Sequence, residues 1–298
     1  MNLSAARSNI LFLITALIWG FAFVAQRAGM EFVGPFTFNG IRFMLGALSL
    51  VPLIFWFNKK QGRQQPVKHA LAAGILLGAV LFAGASLQQI GLVYTTAGKA
   101  GFITGLYVVF VPVLGLLLRQ PAGLHTWLGA VTAAAGLYLL GVKGDFTIDK
   151  GDFLVLICSI FWAVHVQLVG IFTKKINPVV LSFVQFLTCA VLSLCIAAAT
   201  EQWSIQGLSS AALPIAYGGF LSVGVAYTLQ VVAQKNANPS HAAIILSMES
   251  VFAAVGGWLF LHESLSMRGF IGCALILTGM LLAQIDFSFL HKRVNSLR

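Results

Sequence analysis

The sequence predicts an all-α polytopic membrane protein with ten transmembrane helices, arranged as two five-helix repeats of opposite orientation in the bilayer. Hydrophobic residues make up 59% of the 298 residues and charged residues only 9%, against about a quarter charged in a soluble domain. Ten apolar runs are each long enough to cross a bilayer. The pattern of five runs occurs twice, and Trp19 of the first copy recurs as Trp162 of the second.

Each of the ten runs is continuous and lacks the two-residue alternation of a porin strand, which predicts helices and excludes barrel strands. The first run is predicted to be a retained span and not a signal peptide, because its removal would break the repeat. The runs leave only short loops. The predicted spans are residues 9–27, 36–57, 70–93, 98–118, 124–142, 152–173, 179–199, 211–234, 240–261 and 267–286.

The repeat is supported by uncommon residues in register. Besides the two tryptophans, Gly129 corresponds to Gly272 and Gly136 to Gly279, all at one offset. Because a copy holds an odd number of spans, the second copy enters the membrane inverted, as in many transporters. The predicted organisation is a first repeat (1–143), a linker (144–150), a second repeat (151–286) and a basic cytoplasmic tail (287–298).

The distribution of Lys and Arg predicts that both termini are cytoplasmic, since basic residues concentrate on the inner face of membrane proteins. The formal charge of +10 is then explained by topology and by the lipid bilayer as partner, with no nucleic acid. The expected location is a bacterial inner membrane. The predicted inner face holds Arg7, Lys59, Lys60, Arg63, Lys68, Arg119, Lys174, Lys175, Lys235, Lys292, Arg293 and Arg298, and the outer face Arg27, Lys99, Lys143, Lys150 and Arg268.

Four motifs carry a family resemblance over the whole chain. The chain resembles the drug/metabolite transporter (DMT) superfamily, specifically its EamA family, which implies transport of small organic solutes, usually outward. One difference is that Val108 and Ser250 stand where the family often has proline, which weakens the expectation of kinks there. The motifs are Ile18-Trp-Gly-Phe-Ala-Phe23, Arg42-Phe43, residues 95–107 leading into the fourth span, and residues 246–254 followed by Leu259-Phe-Leu-His-Glu263.

Four residues are predicted to meet at the centre of the membrane. Transporters built from inverted repeats bind substrate near the midplane, between the repeats. At about 1.5 Å per residue, a residue about ten positions into a span lies about 15 Å deep. Trp19, Tyr107, Trp162 and Glu249 satisfy this count, and we predict that they line a central cavity.

Two charged side chains lie within spans, where charge is costly and often functional. Glu249 is predicted either to couple transport to protons or cations, or to anchor a substrate amine. The alternative is a structural carboxyl group. Arg42 either attracts an anionic group, binds Glu249, or extends to the interface. Its repeat equivalent is Gln185, so the two repeats are electrostatically unequal.

Other polar and aromatic residues have two interpretations each. Trp19 and Trp162 either stack on substrate or pack helices. His165, one helical turn from Trp162, either titrates near neutrality or is a neutral core histidine. Lys99 and His241, at the mouths of the fourth and ninth spans, either gate ligand or anchor helices at the interface. Three glutamines either line the pathway or join helices: Gln88, Gln89 and Gln230.

Proline and glycine indicate how the helices are arranged. Pro52 and Pro112 are expected to kink the second and fourth spans. The fifth and tenth spans lack polar midplane residues and share a glycine spacing, which predicts outer supports, and the tenth offers a possible homodimer face. The four cysteines make no CxxC pair, so no disulfide, metal or cofactor is expected.

These observations predict a secondary carrier that works by alternating access, and the family resemblance implies export of metabolites such as amino acids or drug-like solutes. There is no ATP-binding motif, so a solute or ion gradient is the expected energy source. An intramembrane enzyme is the alternative from another class, but the chain has no HExxH, no GxSxG and no pair of deep carboxylates. A passive channel is the third reading, and the unequal repeats argue against it.

Overall fold

The computed structural model describes residues 3–61, 67–120, 122–141, 149–264 and 266–284, and all secondary structure within them is helical. Arg63, Lys143, most of the predicted linker and the predicted tail lie outside these residues. The helices are α1 (Leu3–Gly29), α2 (Pro35–Gln61), α3 (Val67–Tyr94), α4 (Ala97–Gly105), α5 (Tyr107–Leu117), α6 (Leu124–Gly141), α7 (Lys150–Phe172), α8 (Pro178–Thr200), α9 (Ile205–Ser210), α10 (Ala212–Ala216), a π-helix (Tyr217–Tyr227), α11 (Thr228–Gln234), α12 (Pro239–Leu246), α13 (Glu249–Leu261) and α14 (Met267–Gln284).

Eight stretches of helix in the described residues are long and apolar enough to cross a membrane, and Met267–Ala283 is a shorter apolar helix. The protein is therefore a helical integral membrane protein, as predicted from composition. The fifth and tenth predicted spans correspond to α6 and α14, and the count of ten spans stays a prediction. The eight stretches are Ala6–Gly29, Pro35–Trp56, His69–Tyr94, Ala97–Leu117, Lys150–Phe172, Pro178–Thr200, Ala212–Gln234 and Pro239–Leu261.

Two of these stretches are interrupted at corresponding places. The break between α4 and α5 falls at Leu106, and that between α12 and α13 at Ser247 and Met248. At both breaks a backbone N–H group donates a hydrogen bond to the carbonyl oxygen three residues earlier, as in a 3₁₀ turn. Leu106 N donates to Ile103 O and Met248 N donates to Ile245 O, each at 3.2 Å. The interruption is thus a short turn of tighter helix at residues other than proline.

The two prolines predicted to kink helices lie away from these breaks. Pro52 lies inside the continuous helix α2. Pro112 lies inside α5, and the break in the fourth span occurs six residues before it, at Leu106. A helix can retain proline when neighbouring contacts compensate for the missing hydrogen bond. The proline positions therefore do not mark the interruptions.

The π-helix of eleven residues lies between α10 and α11 and packs against α1 and α2. Its glycines let α2 approach closely, because a Cβ atom on Gly219 would lie 2.7 Å from Leu45 Cβ and one on Gly224 would lie 2.6 Å from Ser49 Oγ. Side chains at both positions would separate the two helices. Segments of π-helix occur often at functional sites.

The remaining helices pack in a bundle around a common core. α1 contacts α13 and the π-helix, α7 contacts α3, α4 and α5, and α2 contacts α8. α6 packs extensively along α14. There a Cβ atom on Gly129 would lie 2.7 Å from Gly279 O, and one on Gly136 would lie 2.6 Å from Gly272 O. The glycine face of α14 therefore packs against α6 of the same chain, with the two backbones in contact.

Candidate functional site

A small chamber lies at the centre of the bundle, where the predicted repeats meet. The space open to the centre of a water molecule is about 30 Å³, enough for one or two waters. Bulky side chains fill the rest, so an organic solute needs them to move. The lining residues are Trp19, Ala22, Phe23, Gln26, Arg42, Gln88, Thr104, Tyr107, Trp162, Val166, Ser222, Tyr227, Gln230, Leu246 and Glu249.

Five of the six predicted cavity residues line this chamber: Trp19, Arg42, Tyr107, Trp162 and Glu249. The sixth, His165, lies behind Trp162, with its ring edge-on and the centroids 5.9 Å apart. His165 Nε2 is 2.8 Å from Gln185 Oε1, and the side chain is buried. Its contacts are those of a core histidine that positions Trp162.

Tyr227, which the sequence analysis missed, lies at the centre of an aromatic cluster. Its ring centroid is 4.5 Å from that of Trp19 and 6.0 Å from that of Trp162. Phe43 and Phe186 complete the cluster at 6.0 and 5.9 Å. Tyr227 is the last residue of the π-helix, a conformation that hydrophobic periodicity does not reveal.

Hydrogen bonds hold the two indoles at the chamber wall. Trp162 Nε1 donates to Gln88 Oε1 at 2.9 Å, and Gln88 Nε2 donates in turn to Gln26 Oε1 at 3.1 Å. Trp19 Nε1 donates to the backbone oxygen of Ser222 in the π-helix at 3.2 Å. The rings are thus fixed as flat walls, because a buried indole N–H that has a partner stays oriented.

Arg42 brings a positive charge to the chamber without an acidic partner. The side chain is 2% exposed, so it does not extend to the interface. Nε donates to Asn39 Oδ1 at 3.0 Å, and the guanidinium lies 4.9 Å from the Phe43 ring centroid. In the described part of the chain its guanidinium forms no ion pair, with Glu249 or with any other acid. The attraction of an anionic group by Arg42 stays a prediction.

Glu249 is the first residue of α13, immediately after the helix break. The side chain is 3% exposed, and the hydroxyl of Tyr107 lies beside its carboxyl group. Glu249 Oε1 and Tyr107 Oη are both buried without a partner in good hydrogen-bond geometry. Tyr107 is the first residue after the other break, at the start of α5. The residues that follow the two breaks therefore place a carboxyl group and a phenol hydroxyl side by side in the chamber lining.

The two predicted mouth residues lie outside the chamber lining. Lys99 forms ion pairs with Asp152 and with Asp149, the latter at 3.8 Å. His241 Nε2 is 3.0 Å from Asn9 Oδ1. Each side chain thus joins residues 1–143 to residues 149–284, Lys99 at the start of α7 and His241 near the start of α1.

Two carboxylates also accept hydrogen bonds from the other predicted repeat, and the sequence analysis predicted neither contact. Glu201, just after α8, accepts hydrogen bonds of 2.8 Å from Phe36 N and Thr37 N at the start of α2. Glu263, just after α13, accepts from Ala97 N and Gly98 N at 2.9 and 3.0 Å. A carboxylate at a helix N-terminus satisfies free N–H groups and complements the helix dipole. Together with Asp152, which bonds to Thr95 and Lys99, they connect the two predicted repeats.

The described residues contain no group of three or more His, Cys, Asp or Glu side chains suited to a metal ion. All four cysteines are free thiols. The chamber instead offers aromatic walls, amides, one guanidinium and one carboxyl group. Such a set is suited to bind a small polar or amphipathic solute by contacts alone.

A helical membrane protein with interrupted helices around a central polar chamber belongs to the class of membrane transporters. The sequence profile of the EamA-like transporter family matches residues 6–142 and again residues 149–284. The chain belongs to this family.

Similar proteins agree with this assignment. An uncharacterized transporter of Archaeoglobus fulgidus is 30% identical over 274 residues, covering 91% of this chain and 84% of that protein. The uncharacterized transporter YoaV of Bacillus subtilis is 25% identical over 283 residues, covering 91% and 94%. A solved crystal structure shares the fold with a TM-score of 0.77 and 20% identity, over 93% of this chain and 98% of that one.

Proposed function

We propose that this protein is a secondary carrier that exports small organic metabolites, such as amino acids or drug-like solutes, by alternating access. The observation that carries the proposal is the chamber between the predicted repeats, where Arg42 and Glu249 are buried without forming an ion pair. Unpaired charges inside a membrane are expensive and mark substrate or ion pathways. A solute with a charged or polar group would compensate them.

In this proposal the scaffold has ten spans in two inverted repeats, 1–143 and 151–286, joined by the linker 144–150. If the two repeats are exchanged, the contact of α1 with α13 corresponds to the contact of α7 with α4 and α5. The contact of α2 with the π-helix corresponds to that of α8 with α3. The contact of α6 with α14 corresponds to itself. The paired breaks at Leu106 and Ser247 support the same relation.

We further propose that the carrier lies in a bacterial inner membrane with both termini and the tail 287–298 cytoplasmic. The basic residues in the loops support this orientation. The carboxylate contacts of Glu201, Glu263 and Asp152 then lie on the outer face, and they hold that face closed until it opens to release substrate. Homodimer formation stays a prediction without a described interface.

Within the chamber, Trp19, Trp162 and Tyr227 contact the apolar part of the solute, and Arg42 attracts an anionic group. Glu249 is proposed to carry the coupling proton, or to bind a substrate amine. Its place at the start of α13 supports this role, since the helix dipole favours the carboxylate while burial favours the protonated form.

Flux into proteoliposomes tests the proposal. Labelled amino acids, nucleosides and lipophilic cations are screened for saturable uptake and for counterflow. A carrier shows counterflow and a channel does not. An enzyme would instead change the solute chemically. If Glu249 couples protons, Glu249→Gln abolishes uptake driven by a pH gradient and retains counterflow. Glu31→Gln, an exposed acid, is the control. Gradient-driven uptake that survives Glu249→Gln would reject the coupling role.

A further inference from the structure

A second cavity lies on the outside of the bundle, between α2 and the segment formed by the π-helix and α11. Its volume is about 660 Å³, within the range of ligand pockets and much larger than the central chamber. We call it the lateral groove. Leu53, Trp56, Phe220 and Val225 form its rim, and Leu50 and Thr228 lie at its base.

The lateral groove follows from how the two helices meet. They are in close contact at Gly219 and Leu45 and again at Gly224 and Ser49. Beyond this contact, toward the ends of α2 and α11, the groove opens between them. It runs from Ser49 to Trp56 along α2, a length of about 10 Å at 1.5 Å per residue.

The surroundings of the lateral groove are lipid. Both walls belong to stretches long and apolar enough to cross the membrane, Pro35–Trp56 and Ala212–Gln234. Rim residues are exposed, with 49% of Phe220 and 41% of Val225 accessible. An apolar groove open to the hydrocarbon of a bilayer is suited to an acyl chain.

A polar group lies at the base of the same groove. Thr228 is 8% exposed, and its Oγ1 has no hydrogen-bond partner. An unsatisfied hydroxyl at membrane depth is unfavourable. Thr228 lies six residues before the end of α11, about 9 Å along the helix. The Thr228 hydroxyl oxygen is itself buried, so the accessible surface of the groove is predominantly apolar.

Basic residues follow both walls at the end where the groove opens. Thr228 and Val232 of α11 and Lys235 at its end are spaced four and three residues apart, so they share a face of the helix. Lys235 is exposed, and in the described part of the chain ion pairs are formed by Lys99 and not by Lys235. On α2, two lysines follow Trp56 by three and four positions, Lys59 and Lys60.

From this arrangement we infer that the lateral groove is a binding site for an anionic phospholipid. One acyl chain lies between α2 and α11, and the phosphate lies at Lys235. Under the proposed topology the lipid belongs to the cytoplasmic leaflet. The bound lipid supports the π-helix, whose opposite side carries Ser222 and Tyr227 into the chamber.

Native mass spectrometry of the purified full chain measures the dissociation constants of phosphatidylglycerol and of phosphatidylcholine with identical acyl chains. We expect phosphatidylglycerol to bind at least about fivefold more tightly, and Lys235→Gln to reduce this preference about fivefold, since one basic residue near a membrane surface contributes about that factor. Lys174→Gln with Lys175→Gln, an exposed pair in another loop, is the matched control. An equal loss in the control would assign the preference to diffuse surface charge and overturn the site.

Two further measurements test the groove itself. Val225→Trp fills it and is expected to weaken binding of both lipids, and undiminished binding would contradict the placement of the acyl chain. Photo-crosslinking of phosphatidylglycerol with a diazirine in its acyl chain needs no variant. Crosslinks are expected on residues 49–56 and 220–232 of the unmodified protein. Crosslinks spread evenly over the lipid-facing helices would reject the proposal, even if Val225→Trp does not fold.

Discussion

The rings of Trp19 and Tyr227 lie 4.5 Å apart between centroids, tilted by 59°, and together they occupy much of the central chamber. Trp19 comes from the first helix and Tyr227 from the end of the π-helix. The pair therefore joins the two predicted repeats at the chamber where the solute is proposed to bind. A solute larger than a few atoms needs these or other lining side chains to move.

Tyr227→Ala is expected to enlarge the chamber and shift selectivity toward larger solutes, because the ring is surrounded by other rings and leaves a cavity when removed. Tyr227→Phe keeps the ring and is the control. The measurement is inhibition of counterflow by a series of solutes of increasing size. An unchanged size preference in Tyr227→Ala would show that this ring does not limit the chamber.

Glu263→Gln is expected to loosen the face at which the predicted repeats are tied. The carboxylate accepts from two backbone N–H groups at the start of α4, and an amide has one oxygen and no charge with which to replace it. Hydrogen bonds to charged groups contribute about 1.5–3 kcal/mol, and part of this is lost. The measurement is the rate of hydrogen exchange at residues 97–101.

The comparison for this change is again Glu31→Gln, because Glu31 lies exposed in the turn after α1. Exchange at residues 97–101 is expected to accelerate in Glu263→Gln alone. Equal exchange in the two variants would mean that the contact between Glu263 and α4 contributes nothing to closure.

Gly136→Ala is expected to destabilise the protein by about 1–3 kcal/mol, the usual effect of overpacking. The new Cβ atom would lie 2.6 Å from Gly272 O and 2.7 Å from Ile276 N, both backbone atoms that cannot move independently. At Gly84 the added Cβ atom finds an ordinary contact of 3.4 Å with Phe161, so Gly84→Ala is the matched control. Thermal unfolding in detergent compares them, and an equal midpoint would refute the tight contact.

The sequence allowed the helical membrane fold and much of the chamber to be predicted for separate reasons. Apolar runs are the direct consequence of a lipid surrounding, so Ala6–Gly29 and seven further stretches followed from composition. Counting depth along each run brought Trp19, Tyr107, Trp162 and Glu249 to one level, and the structure has all four in one lining. The depth of a residue in the membrane can be counted along its span, so the sequence alone predicts it.

The features that were missed depend on local backbone geometry and on distant partners. Tyr227 reaches the chamber through a π-helix, for which the residue types give no signal. The helix breaks at Leu106 and Ser247 contain no proline. Glu201 and Glu263 follow apolar spans and read as loop residues, while their partners are backbone N–H groups more than 160 positions away.

The central claim, that the chamber opens alternately to the two sides of the membrane, is tested by labelling a single cysteine within it. Ser222→Cys places a thiol in the chamber lining, in a chain whose four native cysteines are replaced. Ser193→Cys, buried in α8 away from the lining, is the control. We expect a membrane-impermeant maleimide to label Cys at position 222 from either side of sealed vesicles, with a transported solute slowing the reaction, and to leave the control unlabelled. Labelling from one side alone, under every solute condition, would contradict alternating access.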